Sequence, residues 1–371
     1  MSGIMLMQLN GMVLLTGMML LTACSTSDEV RQDTMLTIYV YSPDHPVMTR
    51  GDIGGIDASD AENQVTRLQI WIYDTNGNKV GYLGTTETAT LNSGEGAVYQ
   101  IPVSDDFAER KPNVDVYVLA NVAPANCGIT TTLTELTERP TLLDNAKINS
   151  AHFGLAEALT TAIPADGLPM AGSLKSQPVI GDAPVLRIGT TTQIATVPLT
   201  RAVSKLRFFF ANTEGASNLS ITGITLQAGT IPDEEYLFPQ AQTLSYNSST
   251  ASLLASTIEE VATKAQPSAY VYDGQTAEAY EALMTGAGLS EAGPYYLRES
   301  DKRLEGTITY QVEGIQDPMT ATFKMKELGD FSRNHSWIVY AYYEGLSGMQ
   351  IKYVDVTPWD EQDKNHEVYN W

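Results

Sequence analysis

Short runs of alternating apolar and polar residues, separated by glycine, asparagine, aspartate, serine and proline, dominate this chain of 371 residues. Alternation sends successive side chains to opposite faces of an extended strand, so the pattern predicts antiparallel β-sandwiches rather than an α/β fold. The strongest example is 67–73, followed by Asn76-Gly77, a step that suits the positive φ angles of a tight hairpin. The predicted fold class is therefore all-β with minor helices.

The same pattern predicts further strands along the chain. They are 36–41, 97–103, 114–121, 190–200, 201–212, 220–228, 307–312, 320–326, 336–344 and 349–357. Helical periodicity is weaker, and it predicts only short helical segments within 130–159, 251–264 and 276–285. The length suits two domains. A small, Thr-rich stretch before the strand 201–212 places their boundary near Val197.

The N-terminus has the pattern of an exported lipoprotein. Residues 12–21 form an uncharged apolar run that is too short to span a bilayer but has the length of a signal-peptide core. The run ends in the tetrapeptide LTAC, and the residues after Cys24 are polar. We therefore predict a signal peptide over 1–23 and acylation of Cys24. No Lys or Arg precedes the apolar run, and the alternative is a buried apolar helix with an incidental cysteine.

The charge balance limits the classes of partner. The chain has 44 acidic against 22 basic residues and a net charge of −22. Nucleic-acid binding needs basic patches that neutralise phosphates, so this class is disfavoured, whereas an acidic surface favours solubility outside the cell. Acylation of Cys24 leaves Cys127 as the only other cysteine, so an internal disulfide is not expected.

Sequence motifs of catalysis and metal binding are not found. The four histidines have no short spacing among them, and there is no HExxH, GxSxG, phosphate-loop or dinucleotide-binding motif. Paired carboxylates at 105–106 and 234–235 are best interpreted as solvated loop charges, although a glycosidase could use such a pair. We predict no enzymatic activity, no cofactor and no metal.

The aromatic residues near the C-terminus allow two interpretations. Tyr340, Tyr342, Tyr343, Tyr353 and Trp359 could form a platform on which sugar rings stack. At strand periodicity, such residues more often pack in a core, and we favour that interpretation.

A candidate processing site lies between Arg50 and Gly51. The lone arginine follows the predicted strand 36–41 and stands in a loop flanked by proline and glycine, where trypsin-like proteases cut readily. An ordinary linker arginine is the alternative. Cleavage here would separate the first strand from the rest of the chain.

These features, with several short motifs, resemble the fimbrillin superfamily, the type V pilus subunits of Bacteroidetes, of which the major fimbrillins are one group. The motifs are the lipobox ending at Cys24, Thr49-Arg50, and the segments 168–172, 199–206, 331–335 and 356–359 with Trp371. They extend over most of the chain in a consistent order.

The resemblance implies two transthyretin-like antiparallel β-sandwich domains, here 51–196 and 197–371. It also implies export to the outer membrane as a lipoprotein, followed by removal of the prosegment 24–50 by an extracellular arginine-specific protease. The lost strand would be replaced by a donor strand from the C-terminal tail of another subunit. For the donor we expect 345–371, with the side chains of Ile351, Tyr353, Val354 and Val356.

The function implied by the resemblance is that of a structural subunit, with a stalk role favoured by the candidate cleavage and the full-length tail. The implied partners are other fimbrial subunits, identical or accessory, in an extracellular fimbrium that supports adhesion or biofilm formation. The alternatives are a lipid-anchored surface glycan-binding protein and a fimbrial anchor or tip subunit.

Overall fold

The structure is a computed structural model, and its described residues lie within the compact unit Asp33–Trp371. They are 35–41, 61–85, 89–90, 97–103, 113–122, 147–148, 163–174, 195–233, 235–238, 245–246, 248–264, 289–324, 333–334, 336–356 and 367–370. Apart from one 3₁₀ turn at Gly345–Ser347, the regular structure of these residues consists of strands, which confirms the all-β prediction.

The first eleven strands precede the boundary predicted near Val197 or lie close to it. They are β1 (Met35–Tyr41), β2 (Gln64–Val65), β3 (Leu68–Asp74), β4 (Lys79–Thr85), β5 (Ala89–Thr90), β6 (Ala97–Pro102), β7 (Val114–Ala120), β8 (Lys147–Ile148), β9 (Met170–Leu174), β10 (Ala195–Pro198) and β11 (Thr200–Arg201).

The remaining strands belong to the second half of the chain. They are β12 (Val203–Thr213), β13 (Leu219–Leu226), β14 (Glu235–Tyr236), β15 (Ala251–Ser252), β16 (Thr263–Lys264), β17 (Ser290–Arg298), β18 (Glu305–Val312), β19 (Met319–Lys324), β20 (Ser336–Tyr343), β21 (Met349–Val356) and β22 (Glu367–Asn370).

Each half contains two larger sheets. In the first half, a three-stranded sheet of order β10-β1-β6 accompanies a five-stranded sheet of order β11-β9-β7-β3-β4. In the second half, a sheet of order β16-β12-β20-β21-β22, with β17 also paired to β12, accompanies a sheet of order β15-β13-β18-β19. Most neighbouring strands are antiparallel, and the pairs β1–β10, β12–β16 and β12–β20 are parallel.

Three hydrophobic clusters account for the burial of the strands. One cluster joins the two sheets of the first half and includes the inward side chains of β1, β3 and β7. A second joins the two sheets of the second half. The third cluster lies on the opposite face of β3 and β7 and joins these strands to the start of β12 and to the end of β17. Because both of their faces are covered, β3 and β7 are buried at every residue.

The predicted hairpin and most predicted strands are confirmed. Gly77 has φ 87° in the turn between β3 and β4, where the sequence placed a positive φ angle. In β20 the two faces are both covered, as its apolar pattern indicated.

One expectation needs correction, one strand was not predicted, and two predicted helical segments lie almost wholly outside the described residues. The predicted helix 251–264 is wrong, because this segment forms β15 and β16, and Ile258 bridges Ile221 of β13. The strand β17 was not predicted, since Gly293-Pro294 interrupts its pattern. The helical segments expected within 130–159 and 276–285 fall on residues that are not described, except for β8. The domain limits 51–196 and 197–371 stay a prediction.

Candidate functional site

The first strand of the chain lies inside a sheet rather than at its edge. β1 pairs antiparallel with β6 from Met35↔Pro102 to Val40↔Ala97. On its other side it pairs parallel with β10 from Ile38↔Ala195 to Tyr41↔Pro198. Removing β1 would therefore leave unpaired backbone groups on two facing strands, which we call the β1 slot, bounded by β6 and β10.

The inward side chains of β1 are part of the core of the first half. Leu36 is 2% exposed, and Ile38 and Val40 are 0% exposed. Burial of three such aliphatic side chains stabilises the fold by roughly 5–9 kcal/mol in total. The β1 slot is therefore apolar at its floor, and β1 is a large contributor to the stability of the uncleaved chain.

Gly172 sets the close approach of β9 to one wall of the slot. A Cβ atom at this position would collide with the carbonyl oxygen of Pro198, and it would lie 3.0 Å from a methyl carbon of Val197. Both of these residues belong to β10. Glycine is therefore required here so that β10 can run beside both β1 and β9. The sequence motif 168–172 thus has a structural role at the slot.

The predicted processing residues lie outside the described residues. These are the lipidation site Cys24 and the cleavage site between Arg50 and Gly51. The structure describes the strand before the cleavage site, β1, and the chain again from residue 61 onward. Acylation and cleavage stay predictions.

The predicted donor strand is an intact part of its own sheet. β21 contains Ile351, Tyr353, Val354 and Val356 and pairs with β20 along its whole length. On its other side it pairs with β22, and the sheet order ends there. Ile351 is partly buried against the core of the second half. The structure therefore places the expected donor in an edge hairpin, and its transfer to another subunit stays a prediction.

Three of the five aromatic residues considered as a sugar-stacking platform lie in the interior, and the side chains of Tyr353 and Trp359 lie outside the described part of the structure. Tyr340, Tyr342 and Tyr343 are all buried, and the ring of Tyr343 contacts Tyr310 of β18 within the core. Burial raises the pKa of Tyr340 well above its usual value. The preferred interpretation of these three residues as packing residues is confirmed, and they cannot serve as an exposed platform.

A buried polar cluster joins the segment after β1 to the second half of the chain. The Glu62 carboxylate lies 3.0 Å from the Lys205 ammonium group and accepts a hydrogen bond of 2.7 Å from the Tyr296 hydroxyl. The Arg201 guanidinium donates to the side-chain oxygens of Asn63 and Asn334, the latter over 3.0 Å. We call these six residues the Glu62 cluster. Each of them is buried.

Burial and charge act in opposite directions on the lysine of this cluster. Desolvation lowers the pKa of Lys205, and the nearby Glu62 carboxylate partly offsets this by favouring the charged form. The pKa of Tyr296 is raised, first by burial and then by the same carboxylate. A carboxylate buried in this way stays favourable only because it has hydrogen-bonding and charged partners.

Two further polar residues hold the backbone around this cluster. The Asn121 side chain, on a residue with φ 62°, accepts from the Thr66 amide and donates to the carbonyls of Gln64 and Leu168. Arg333 donates to the Glu299 carboxylate at 2.8 Å and to the carbonyls at 236 and 237.

The sequence motifs 199–206 and 331–335 thus meet around Arg201, which sequence reasoning did not foresee. The role of Glu62 was also missed. It stands in a short polar stretch, Ala61-Glu62-Asn63-Gln64, and the sequence gives no signal that distinguishes it from the solvated carboxylates of an acidic chain.

Two negative findings apply to the described part of the chain. In these residues no three His, Cys, Asp or Glu side chains come together in a way that could hold a metal ion. The same residues contain no helix with the length and apolarity of a membrane span.

Comparison with known sequences finds one family model that is similar to part of the chain. Residues 36–183 match the sequence model of the major fimbrial subunit protein (FimA) family. This segment begins in β1 and includes the β6 wall of the slot. The match confirms the predicted resemblance to the fimbrillin superfamily over somewhat less than half of the chain. No curated protein sequence matches the chain.

Two solved structures whose backbones follow a similar course are described as fimbrial proteins. A fimbrial assembly protein from Parabacteroides distasonis has 13% identity and a TM-score of 0.49, covering 91% of this chain and 99% of its own. The tip fimbrial protein Mfa3 from Porphyromonas gingivalis, truncated at its C-terminus, has 12% identity and a TM-score of 0.46, covering 91% and 99%. At these values the likenesses carry no functional argument.

Proposed function

Since residues 36–183 match the major fimbrial subunit family, we propose that this chain is a structural subunit of a cell-surface fimbria. More specifically, we propose a stalk subunit that polymerises by exchange of a β-strand. The observation that carries the second part is the position of β1, a strand paired on both sides, with Leu36, Ile38 and Val40 buried, that lies before the candidate cleavage site.

The proposed route begins with a lipoprotein precursor at the outer membrane. Cys24 is acylated after removal of residues 1–23, and an extracellular arginine-specific protease then cuts between Arg50 and Gly51. The excised segment 24–50 contains the whole of β1. The lipid and the first strand therefore leave together, and a subunit free of its membrane anchor acquires an open slot.

An open β1 slot strongly favours a replacement strand. Without β1, the inward side chains of the core lose the three aliphatic partners described above, and backbone groups of β6 and β10 lose their hydrogen bonds. Unpaired backbone groups along a sheet edge are a template on which another strand can pair. A strand from a second subunit restores both kinds of interaction, and head-to-tail repetition of this contact gives an open filament.

The C-terminal hairpin of β21 and β22 is the proposed donor. It lies at the end of its sheet and can separate from β20 without opening the other strand pairs. Among the described side chains of β21, Met349 and Ile351 pack partly buried against the hydrophobic cluster, whereas β20 contributes buried side chains along its length.

Proteolysis of the purified precursor tests this function. Incubation with trypsin should release the segment that ends at Arg50 and then give ladders of multimers that resist mild heating in detergent. Arg50→Ala should abolish both products, and normal ladders from this variant would contradict the cleavage step. Arg50→Lys is the matched control, because trypsin still cuts it while an arginine-specific protease does not.

A further inference from the structure

We infer that Glu62 is a positioning residue that holds the start of the mature chain in place after β1 has left, and so keeps the β1 slot in the shape that a donor strand requires. This inference rests on the proposed function. It assigns to the buried Glu62 cluster a role that is most important after cleavage.

The geometry gives Glu62 contacts with two separate strands of the second half. The Lys205 ammonium group of β12 donates to its Oε2 atom over 3.2 Å and lies 3.0 Å from Oε1. The Tyr296 hydroxyl of β17 donates to Oε1 over 2.7 Å. Glu62 is 1% exposed, so solvent screens these interactions little. The carboxylate therefore fixes residue 62 to a part of the molecule that cleavage does not touch.

The segment that follows Glu62 is part of the slot's core. Val65 is buried in the same hydrophobic cluster as Leu36, Ile38 and Val40 of β1. Its neighbours are held by the Asn121 side chain, which accepts from the Thr66 amide at 2.9 Å and donates to the Gln64 carbonyl at 2.7 Å. Displacement of this segment would pull Val65 out of the floor of the slot.

Cleavage changes what this segment needs in order to stay ordered. In the precursor, residues 62–66 lie between β1 and β3 and include β2, which pairs with β5. In the mature chain they follow a new terminus at Gly51 and no longer have β1 before them. Chain ends fray unless contacts hold them, and the Glu62 contacts do this for the first described residues of the mature chain, ahead of the β2–β5 pairing and the Asn121 hydrogen bonds.

Hydrogen exchange at the amides of residues 62–66 tests the inference directly. It is measured on the uncleaved chain and on the trypsin-cleaved monomer, for the natural sequence and for Glu62→Gln. In the cleaved Glu62→Gln chain we expect exchange about tenfold or more faster than in the cleaved natural chain, since hydrogen bonds to a charged group are lost. In the uncleaved chains we expect a much smaller difference, and the ladders should form correspondingly more slowly in the variant.

Glu291→Gln is the matched control. This substitution removes the carboxylate of another ion pair, in which Glu291 of β17 lies 2.7 Å from Arg207 of β12. It should leave hydrogen exchange at residues 62–66 unchanged. If Glu62→Gln does not fold, Tyr296→Phe gives the same test, because it deletes only the hydroxyl that donates to Glu62. It should accelerate exchange in the cleaved chain by about threefold.

Two results would overturn the inference. One is equal exchange at 62–66 in the cleaved natural and Glu62→Gln chains, and the other is an equal acceleration before and after cleavage, which would mark a purely structural residue. Failure of the proposed function is a separate result, since a natural chain that is cut but forms no ladders can still be scored by exchange.

Discussion

At the scale of single residues, the inward side chains of β1 and the buried polar groups determine the stability of the chain before and after cleavage. Leu36, Ile38 and Val40 stabilise the precursor but belong to a segment that the mature chain lacks. Glu62 and Lys205 are charged residues whose burial is tolerated because they face each other. The inward side chains of β1 stabilise the chain before cleavage, and the Glu62–Lys205 pair is most important for the order of the cleaved chain.

Ile38→Ala should separate these two states. Truncation of a fully buried isoleucine should lower the free energy of unfolding of the precursor by about 2–5 kcal/mol. The cleaved chain has lost β1, so its free energy of unfolding should not change. Urea unfolding of both forms checks this. Val98→Ala, at a position 59% exposed on β6, is the control and should change the precursor by less than about 0.5 kcal/mol.

Buried tyrosines predict loss of stability at alkaline pH. Burial raises the pKa of Tyr295 to about 12, and it raises the pKa of Tyr73 and Tyr340 as well. A folded-state pKa above the unfolded value near 10 means that the unfolded chain releases its protons first. Stability is then complete below pH 10 and falls as the pH rises through 12.

The lowered pKa of Lys205 acts in the opposite direction, because the unfolded chain binds that proton more strongly. Several tyrosines oppose one lysine, so a net loss is expected. Tyrosinate absorbance and circular dichroism, followed together above pH 10, should change in one cooperative step. Gradual ionisation of the buried tyrosines in a chain that stays folded would contradict this expectation.

At the scale of elements, the sequence predicted strands well where alternation and turn residues agreed. The hairpin of β3 and β4 and the doubly covered β20 are examples, because burial on one or both faces leaves a pattern that can be recognised locally. β17 escaped because Gly293-Pro294 resembles a turn, although the strand continues past it with a shifted register between Leu206 and Phe208 of its partner. β17 forms because it pairs with β12, which lies far from it in the sequence.

The candidate site was predictable only in part. The sequence indicated a removable first strand, and the structure adds that β1 lies between β6 and β10. The Glu62 cluster was not predictable, since its members lie far apart in the chain and its carboxylate resembles any surface acid. Long-range contacts of this kind have no local pattern.

Gly172 allows a prediction about the wall of the slot. Gly172→Ala should shift β10 away from β9 and lower the free energy of unfolding by about 1–3 kcal/mol, because the added methyl group meets the Pro198 carbonyl. Differential scanning calorimetry of the precursor measures this. Gly223→Ala in β13 is the control, since a Cβ there would lie 3.6 Å from its nearest atom, in ordinary contact. Equal effects of the two substitutions would contradict the assigned role of Gly172.

At the scale of the whole molecule, a net charge of −22 opposes the association of identical subunits. The interactions that drive strand exchange are apolar and main-chain, so they depend little on salt, whereas the repulsion between subunits is screened once the Debye length falls to about 10 Å at 0.1 M salt. Ladder formation after cleavage should therefore be faster at 0.15 M than at 0.01 M sodium chloride. A slower rate at the higher salt concentration would indicate assembly through opposite charges instead.

The identity of the first residue in the assembled fimbria tests the central claim most directly. That claim is that the segment with β1 is excised so that a neighbour's strand can occupy the β1 slot. N-terminal sequencing of protein sheared from the cell surface should give a chain that starts at Gly51. A chain that still carries β1 behind an acylated Cys24 would contradict the account and would identify an anchor or a lipid-tethered binding protein.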